Sequence, residues 1–360
     1  MKVLHIEAGR HLYGGAKQVL YIMQGLATRG VSNVLACPSG AHIAAEARAF
    51  AEVVEMPMGG DADLGMVLRL KQAIRTHQPD IVHIHSRRGA DIWGGLAAKL
   101  DGVPCVLSRR VDNPEARWAV SLKYRLFDHV ITISEGIRQV LLAEGLAPEN
   151  VSCVRSAVDP TPYLHDYDKT AFRADLGFEA DTPIVGMVAQ LIPRKGHRYL
   201  LAALPAVLAE HPNVQVLIYG RGPLEAELRQ AIAHQGLAGQ VTLMGFADDL
   251  PAQLGCLDLL VHPADMEGLG VSLLQASAAR VPIIASRAGG MPEAVIDGEN
   301  GVLIEVGDVA ALAAAMNQLL GDAELRKRMG DAGWTMVMHD FSIDTMCAGN
   351  LAIYNKVLAR

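Results

Sequence analysis

The feature that most constrains this chain is a cycle that runs twice: a short apolar run, a turn, then a helical stretch. In the first pass "KVLHI" leads through a glycine turn, "YGGAKQ", into apolar residues at helical spacing, Val19, Leu20, Met23 and Leu26. The runs "SNVLAC", "DIVHIHS", "VPCVLS" and "HVITIS" follow, alternating with helical stretches such as "DIWGGLAAKLDG" and "EGIRQVLLAEGL". Strands that are apolar throughout are buried on both faces, so the alternation predicts a parallel sheet covered by helices. The cycle pauses at "SAVDPTPYLHDYDKT", read as a linker, and restarts with "PIVGMVAQL", "VQVLIYG", "VTLMGF", "LDLLVHP", "VPIIASR" and "GVLIE". Helices are expected from about His197 to Ala209 and from about Pro223 to Gln235. A terminal helix is expected through Ile343, Met346, Leu351, Tyr354 and Leu358. The architecture is α/β, two doubly wound sheets, and ligands of such sheets bind at strand carboxyl ends.

Composition narrows the class. A chain of 360 residues that is 51% hydrophobic and 20% charged is too apolar for disorder and long enough for two domains. No run approaches the roughly 18 apolar residues of a membrane span. The start lacks the apolar region of a signal peptide, so a cytoplasmic location is expected. Five cysteines, Cys37, Cys105, Cys153, Cys256 and Cys347, are odd in number and widely spaced, which supports packing rather than a disulfide framework or a zinc site. The net charge of −7 argues against nucleic acid, and it is unevenly shared. Residues 1–160 carry 18 Lys and Arg against 16 Asp and Glu, and residues 161–360 carry 14 against 23.

Three stretches can carry chemistry. Gly14, Gly15 and Ala16 lie between a strand end and a helix start, where small residues let backbone N–H groups approach an anion. A Gly-Gly turn is also often only a turn, and the three-glycine dinucleotide fingerprint is missing. In "VAQLIPRKGH", Arg194 and Lys195 follow a strand directly, which suits a diphosphate and equally suits a solvated basic loop. In "HPADMEGLGVSLLQASA", Glu267 precedes Gly268, Leu269, Gly270 and Val271, which open a helix on which Gln275 lies two turns on. Free N–H groups there can meet phosphate oxygens, and a carboxylate before them can accept bonds from sugar hydroxyls. No metal is expected from the sequence. His83 and His85 in "HIHS" are expected on opposite faces of their strand, His85 as a substrate contact and His83 in the core.

In motif order, the chain resembles the family 4 glycosyltransferases of the GT-B fold, of bacterial cell-envelope or lipopolysaccharide type. The resemblance rests on "YGGAKQ", "DIVHIHS", "ITISEGIRQVLL", "RKGH", "IYGRGPLEAEL", "VTLMGF", the Glu267 helix, "PIIASRAGGMPEAVIDGENGVLIEVGD" and the terminal helix after "FS". It implies two Rossmann-like domains facing a central cleft: an acceptor domain of residues 1–165 plus 344–360, and a nucleotide-sugar donor domain of residues 166–343. It implies Lys195, Arg194 and Glu267 as catalytic. Gly14, Gly15, Ala16, Gln190, Phe246, Gly268, Leu269, Gly270, Val271 and Gln275 are implied as donor contacts, with Phe246 bordering the base. No cofactor and no metal are implied. The implied reaction is transfer of a hexose, with retention, from a nucleotide diphosphate sugar, UDP-linked by preference, to a glycan or glycolipid acceptor. A non-catalytic nucleotide-sugar binder and a 2-epimerase or hydrolase on the same fold are the alternatives.

Three positions depart from the family pattern. Gln275 stands where the second of two paired glutamates is usual, and Gln190 stands where an arginine is usual. Arg110 replaces a histidine. A guanidinium binds phosphate or carboxylate where imidazole binds hydroxyls, so Arg109, Arg110 and His85 are expected at the acceptor, a phosphorylated one included. Nine Lys and Arg against six Asp and Glu in residues 87–138, with Arg87, Arg88, Arg117, Lys123 and Arg125 among them, suggest an anionic membrane surface as a further partner. The enzyme would then sit peripherally on the inner face of the plasma membrane.

Overall fold

The computed structural model describes residues 1–12, 14–86, 89–111, 113–247 and 249–360, with the side chains of Trp118 and Ala119 left aside. Arg87 and Arg88 of the basic run, and Tyr13 of "YGGAKQ", lie outside the described residues.

The chain divides into two compact units, Met1–Ala157 with Ser342–Arg360, and Val158–Phe341. The expected boundaries near 165 and 343 are therefore shifted. The reason is local: the Val158 N–H donates to the Phe341 carbonyl at 3.0 Å, and both residues are buried, which ties the two crossing segments together inside the second unit.

The first unit holds a seven-stranded sheet of β1 (Lys2–Ile6), β2 (Ser32–Pro38), β3 (Glu52–Met56), β4 (Ile81–Ile84), β5 (Cys105–Arg109), β6 (His129–Thr132) and β7 (Val151–Cys153). Their order is β3-β2-β1-β4-β5-β6-β7, parallel at every pairing. The two edge strands escape the sequence pattern. In β3 Glu52 and Glu55 interrupt the apolar run, as charges on an edge strand do, and β7 is three residues long. Each strand sends alternate residues to opposite faces. Leu4, Ile6, Val82, Ile84 and Leu107 enter one core with Leu70 and Tyr124. Val3, Ile81, Val106 and Ile131 enter the other with Ile22, Met346 and Tyr354. That second face is covered by the helix Gly14–Ala27 and the terminal helix Ile343–Leu358, which pack together where Gly25 meets Cys347.

The second unit holds a six-stranded sheet of β8 (Ile184–Val188), β9 (Gln215–Tyr219), β10 (Val241–Gly245), β11 (Leu259–His262), β12 (Ile283–Ser286) and β13 (Gly301–Ile304). The order is β10-β9-β8-β11-β12-β13, again parallel. The helices His197–Glu210 and Glu225–His234 match the expected spans to within two residues. All five cysteines are free, four of them buried. No helix among the described residues is long and apolar enough to cross a membrane.

Both strand orders reverse direction once, between β1 and β4 and between β8 and β11. Connections leave such a pair toward opposite sides, which opens a crevice at the carboxyl ends. Gly14, Gly15 and His85 follow β1 and β4, and Arg194, Lys195 and Glu267 follow β8 and β11, at these two points, whereas Phe246 follows β10 and Arg110 follows β5.

Candidate active site

In the second unit the site forms after β8 and β11. The chain leaves β8, turns through Pro193–Lys195, and enters the helix His197–Glu210 by way of Gly196, whose φ is +76°. A Cβ on Gly196 would collide with the Pro263 carbonyl, so only glycine lets this turn press against the segment that follows β11. That contact brings the Lys195 ammonium to the Glu267 carboxylate. The same carboxylate accepts from His262 Nε2 at 3.1 Å and from the Gly268 N–H at 3.1 Å. Lys195 is buried and Glu267 nearly so. Burial by itself would raise the Glu267 carboxyl, but the hydrogen bond from His262 and the Lys195 ammonium outweigh it and hold the group at about 2. Glu267 is thus a fixed anion, an acceptor only.

Gly270, with φ +88°, turns the chain into the helix Val271–Ala278, where Gln275 is half-buried and Leu269 and Leu273 are anchored in the core. Arg194 sits half-buried on the Lys195 turn, and its carbonyl accepts from the Asp265 N–H at 2.8 Å. Gln190 is exposed just past β8. Phe246 is 46% exposed just past β10, two strands away, with the Arg221 guanidinium 5.8 Å from its ring centre. Lys195, Glu267 and Gly268 are therefore brought into direct contact, while Phe246 stands apart on the sheet edge.

Two histidines here went unnoticed in the sequence. His262 ends β11, and its position five residues before Glu267 was the available signal. His197 opens its helix with both ring nitrogens buried and, among the described residues, without hydrogen-bond partners, and burial first, then His262 and Lys195, pushes it down to about 4.

In the first unit the site forms after β1, β4 and β5. Gly14 and Gly15 open the helix Gly14–Ala27, Ala16 is buried behind them, and a Cβ on Gly15 would lie 3.9 Å from Arg110 Cδ. Arg110 is half-buried, its Nε enclosed without a hydrogen-bond partner among the described residues. Burial lowers its guanidinium to about 10, opposed by Glu7 and Tyr354, so it remains a cation.

Two expectations are corrected here. Arg109 does not accompany Arg110. It shares the strand side of Cys105 and Leu107, so it turns into the core, 2% exposed, and gives its donors to the Val111 and Asn113 carbonyls, Tyr124 Oη and the Glu115 carboxylate. Nor do His83 and His85 part to opposite faces. Residues two apart in a strand share a face, and their ring centroids lie 3.8 Å apart. His5 of β1 joins them, its register partner being His83. These three are the one group among the described residues whose ligand atoms lie within 4.8 Å of one another, as a metal ion would need. Every ring nitrogen in the group nonetheless has a hydrogen-bond partner inside the protein.

Comparison with known proteins fits this arrangement. Residues 168–336 match the family model described as glycosyl transferases group 1, and residues 13–161 match glycosyltransferase family 4. Alpha-maltose-1-phosphate synthase of Mycolicibacterium smegmatis is 30% identical over 331 residues, 83% of each chain. This chain belongs to the family 4 glycosyltransferases. The glycosyltransferase is also 36% identical, over 188 residues, to a GDP-mannose-dependent monoacylated alpha-(1-6)-phosphatidylinositol monomannoside mannosyltransferase of Corynebacterium glutamicum. That match covers 50% of this chain and spans about half, 49%, of the relative's length. In fold, the glycosyltransferase resembles Anabaena Alr3699/HepE, solved with UDP and glucose, with a TM-score of 0.86 at 21% identity over 99% of this chain and 100% of that one. Its own fold is GT-B.

Proposed function

We propose that this enzyme moves a hexose, with retention of configuration and without a metal ion, from a nucleotide diphosphate sugar of the UDP type to a glycan or glycolipid of the bacterial cell envelope. The observation that carries the reading is the meeting of Lys195 and Glu267 at the reversal point of the second sheet, beside the opening of the helix Val271–Ala278. The two groups divide the donor between them. Lys195, helped by Arg194 and the N–H groups of residues 268–271, opposes the charge that builds on the departing diphosphate. Glu267, unable to donate, accepts from hydroxyls of the transferred sugar. Gln275 and Gln190 take ribose and phosphate by amide hydrogen bonds, and Phe246 borders the base. The N–H groups of Gly14 to Ala16 add a phosphate contact.

In the proposed reaction the bond from the sugar anomeric carbon to the diphosphate oxygen breaks, and a bond from the acceptor oxygen forms on the same face. The acceptor proton passes to the departing phosphate oxygen, so no protein nucleophile is needed. Arg110, a half-buried cation whose enclosed Nε has no hydrogen-bond partner among the described residues, supports an acceptor bearing phosphate or carboxylate. An anionic membrane surface belongs to the same reading.

The test is mass spectrometry of the purified protein with UDP-glucose, UDP-galactose, UDP-N-acetylglucosamine and GDP-mannose. Hydrolysis or transfer from a UDP-sugar, abolished by Lys195→Ala, is the expected result. Turnover of GDP-mannose alone would overturn the UDP assignment, and tight retention of a donor without any turnover would favour a non-catalytic binder.

A further inference from the structure

We propose that Asn33, His5 and His85 form a hydrogen-bonded chain of fixed direction whose task is to orient Arg110, so that His85 is a positioning residue and not a substrate contact.

The direction follows from atoms at one end of the chain. Asn33 Nδ2 donates to the Met23 carbonyl at 2.9 Å and to the Phe50 carbonyl at 3.2 Å. Two carbonyls can only accept, so the amide nitrogen must face them and Oδ1 must face His5 Nε2, 3.2 Å away. His5 therefore carries its proton on Nε2. It is fully buried and neutral, pushed down to about 4 by burial and only partly restored by Asn33, so its Nδ1 is a bare lone pair. His85 Nε2 lies 2.9 Å from that lone pair and must be the donor. His85 is neutral as well, held well below the ordinary imidazole range by burial and then by His83, His5 and Arg110. One proton is spent on Nε2, which leaves His85 Nδ1 as an acceptor, and it looks onto Arg110 Nη2 at 3.5 Å. The opposite tautomer would set an N–H against a guanidinium N–H.

The flank is closed too. His83, its ring tilted 40° to that of His85, binds Tyr354 Oη at 2.6 Å through Nδ1 and Ser108 Oγ at 2.8 Å through Nε2, so it offers His85 no competing partner. His85 is 2% exposed with both nitrogens engaged. What it can do for a ligand, it does through Arg110. The value placed on Arg110 rests on the proposed anionic acceptor, whereas the tautomers do not.

The test is two-bond 15N–1H spectroscopy of the histidine rings in the full-length protein near pH 7.5, with the Arg110 Nε–H resonance followed alongside. Nε2–H tautomers at both His5 and His85 are expected. A protonated Nδ1 on neutral His85, or a charged ring at either residue, would overturn the proposal from the wild-type spectrum alone. Asn33→Leu, which removes the fixed acceptor, should release the chain and shift the Arg110 resonance; unchanged tautomers or an unmoved Arg110 signal would overturn the positioning role. With inorganic phosphate as the probe, Asn33→Leu should weaken binding at Arg110 by about tenfold, the worth of one hydrogen bond. If phosphate leaves wild-type Arg110 unaffected while the tautomers are as expected, the anionic-acceptor reading fails and the chain stands. Stoichiometric zinc binding with loss of both Nε2–H signals would replace the proposal with a metal site.

Discussion

Lys195 and Glu267 lie 72 residues apart in sequence and form an ion pair in the crevice where β8 and β11 part. His262 holds the same carboxylate from the end of β11, so one anion is shared by an ammonium and an imidazole. A buried pair of this kind adds little net stability, because desolvation cancels much of the attraction, but breaking it leaves a charge stranded.

Lys195→Ala should therefore have two effects. Turnover should fall by about 100-fold or more, as expected for the loss of an electrostatic stabiliser of the leaving group. Stability should fall by about 1–3 kcal/mol, less than for a wholly isolated pair because His262 still holds Glu267. The double variant Lys195→Ala/Glu267→Gln should regain stability but not activity. Urea denaturation beside donor turnover measures both, and additive stability losses would deny the coupling.

His262→Leu tests what keeps Glu267 ionised. Burial alone drives that carboxyl upward, so loss of the histidine should let it rise from about 2. The acid limb of kcat/KM for donor turnover should move to higher pH by about one unit. An acid limb that stays in place would remove His262 from the site.

The histidine cluster of the first unit predicts acid sensitivity. His5 is held at about 4, and His83 and His85 well below their ordinary value, by burial. Between about pH 6.5 and 4 the unfolded chain takes up protons that the folded chain refuses. Stability is thus complete above about 6.5 and declines as pH falls. Denaturation midpoints at pH 7.5, 6.0 and 5.0 should decrease in that order, and equal midpoints would contradict the neutral, buried assignment.

Arg109 and Arg110 should respond oppositely. Arg109→Ala takes a buried guanidinium from Glu115, which keeps Lys123 and Tyr124, and from the Val111 and Asn113 carbonyls, and should cost about 1–3 kcal/mol. Arg110→Ala relieves an enclosed cation and should leave stability within about 1 kcal/mol while weakening phosphate binding. Thermal melts of the two variants decide this, and equal losses would show that Arg110 is also structural.

Gly196→Ala should be severe for a small change. The positive φ and the Pro263 carbonyl both exclude a Cβ, so a loss of at least about 2 kcal/mol is expected, together with displacement of Lys195. Near-normal melting and turnover would mean the turn can relax.

The sequence by itself determined the two parallel sheets, because continuous apolar runs alternating with helical spacing leave few other ways to bury both faces of each strand. It also marked Arg194, Lys195, Glu267 and the glycine turns, since these residues follow strands directly and ligands of such sheets gather at strand ends. What it left unmarked were edge strands such as β3, whose charges break the apolar pattern, and partners remote in the chain. Only the tertiary structure decided that Lys195 meets Glu267, that Arg109 rather than Arg110 is the one turned inward, and that His5 lies beside His83 and His85. Local sequence sets each residue's side of its own strand. Which side chains then face one another depends on strand order and register, fixed by the packing of the whole sheet.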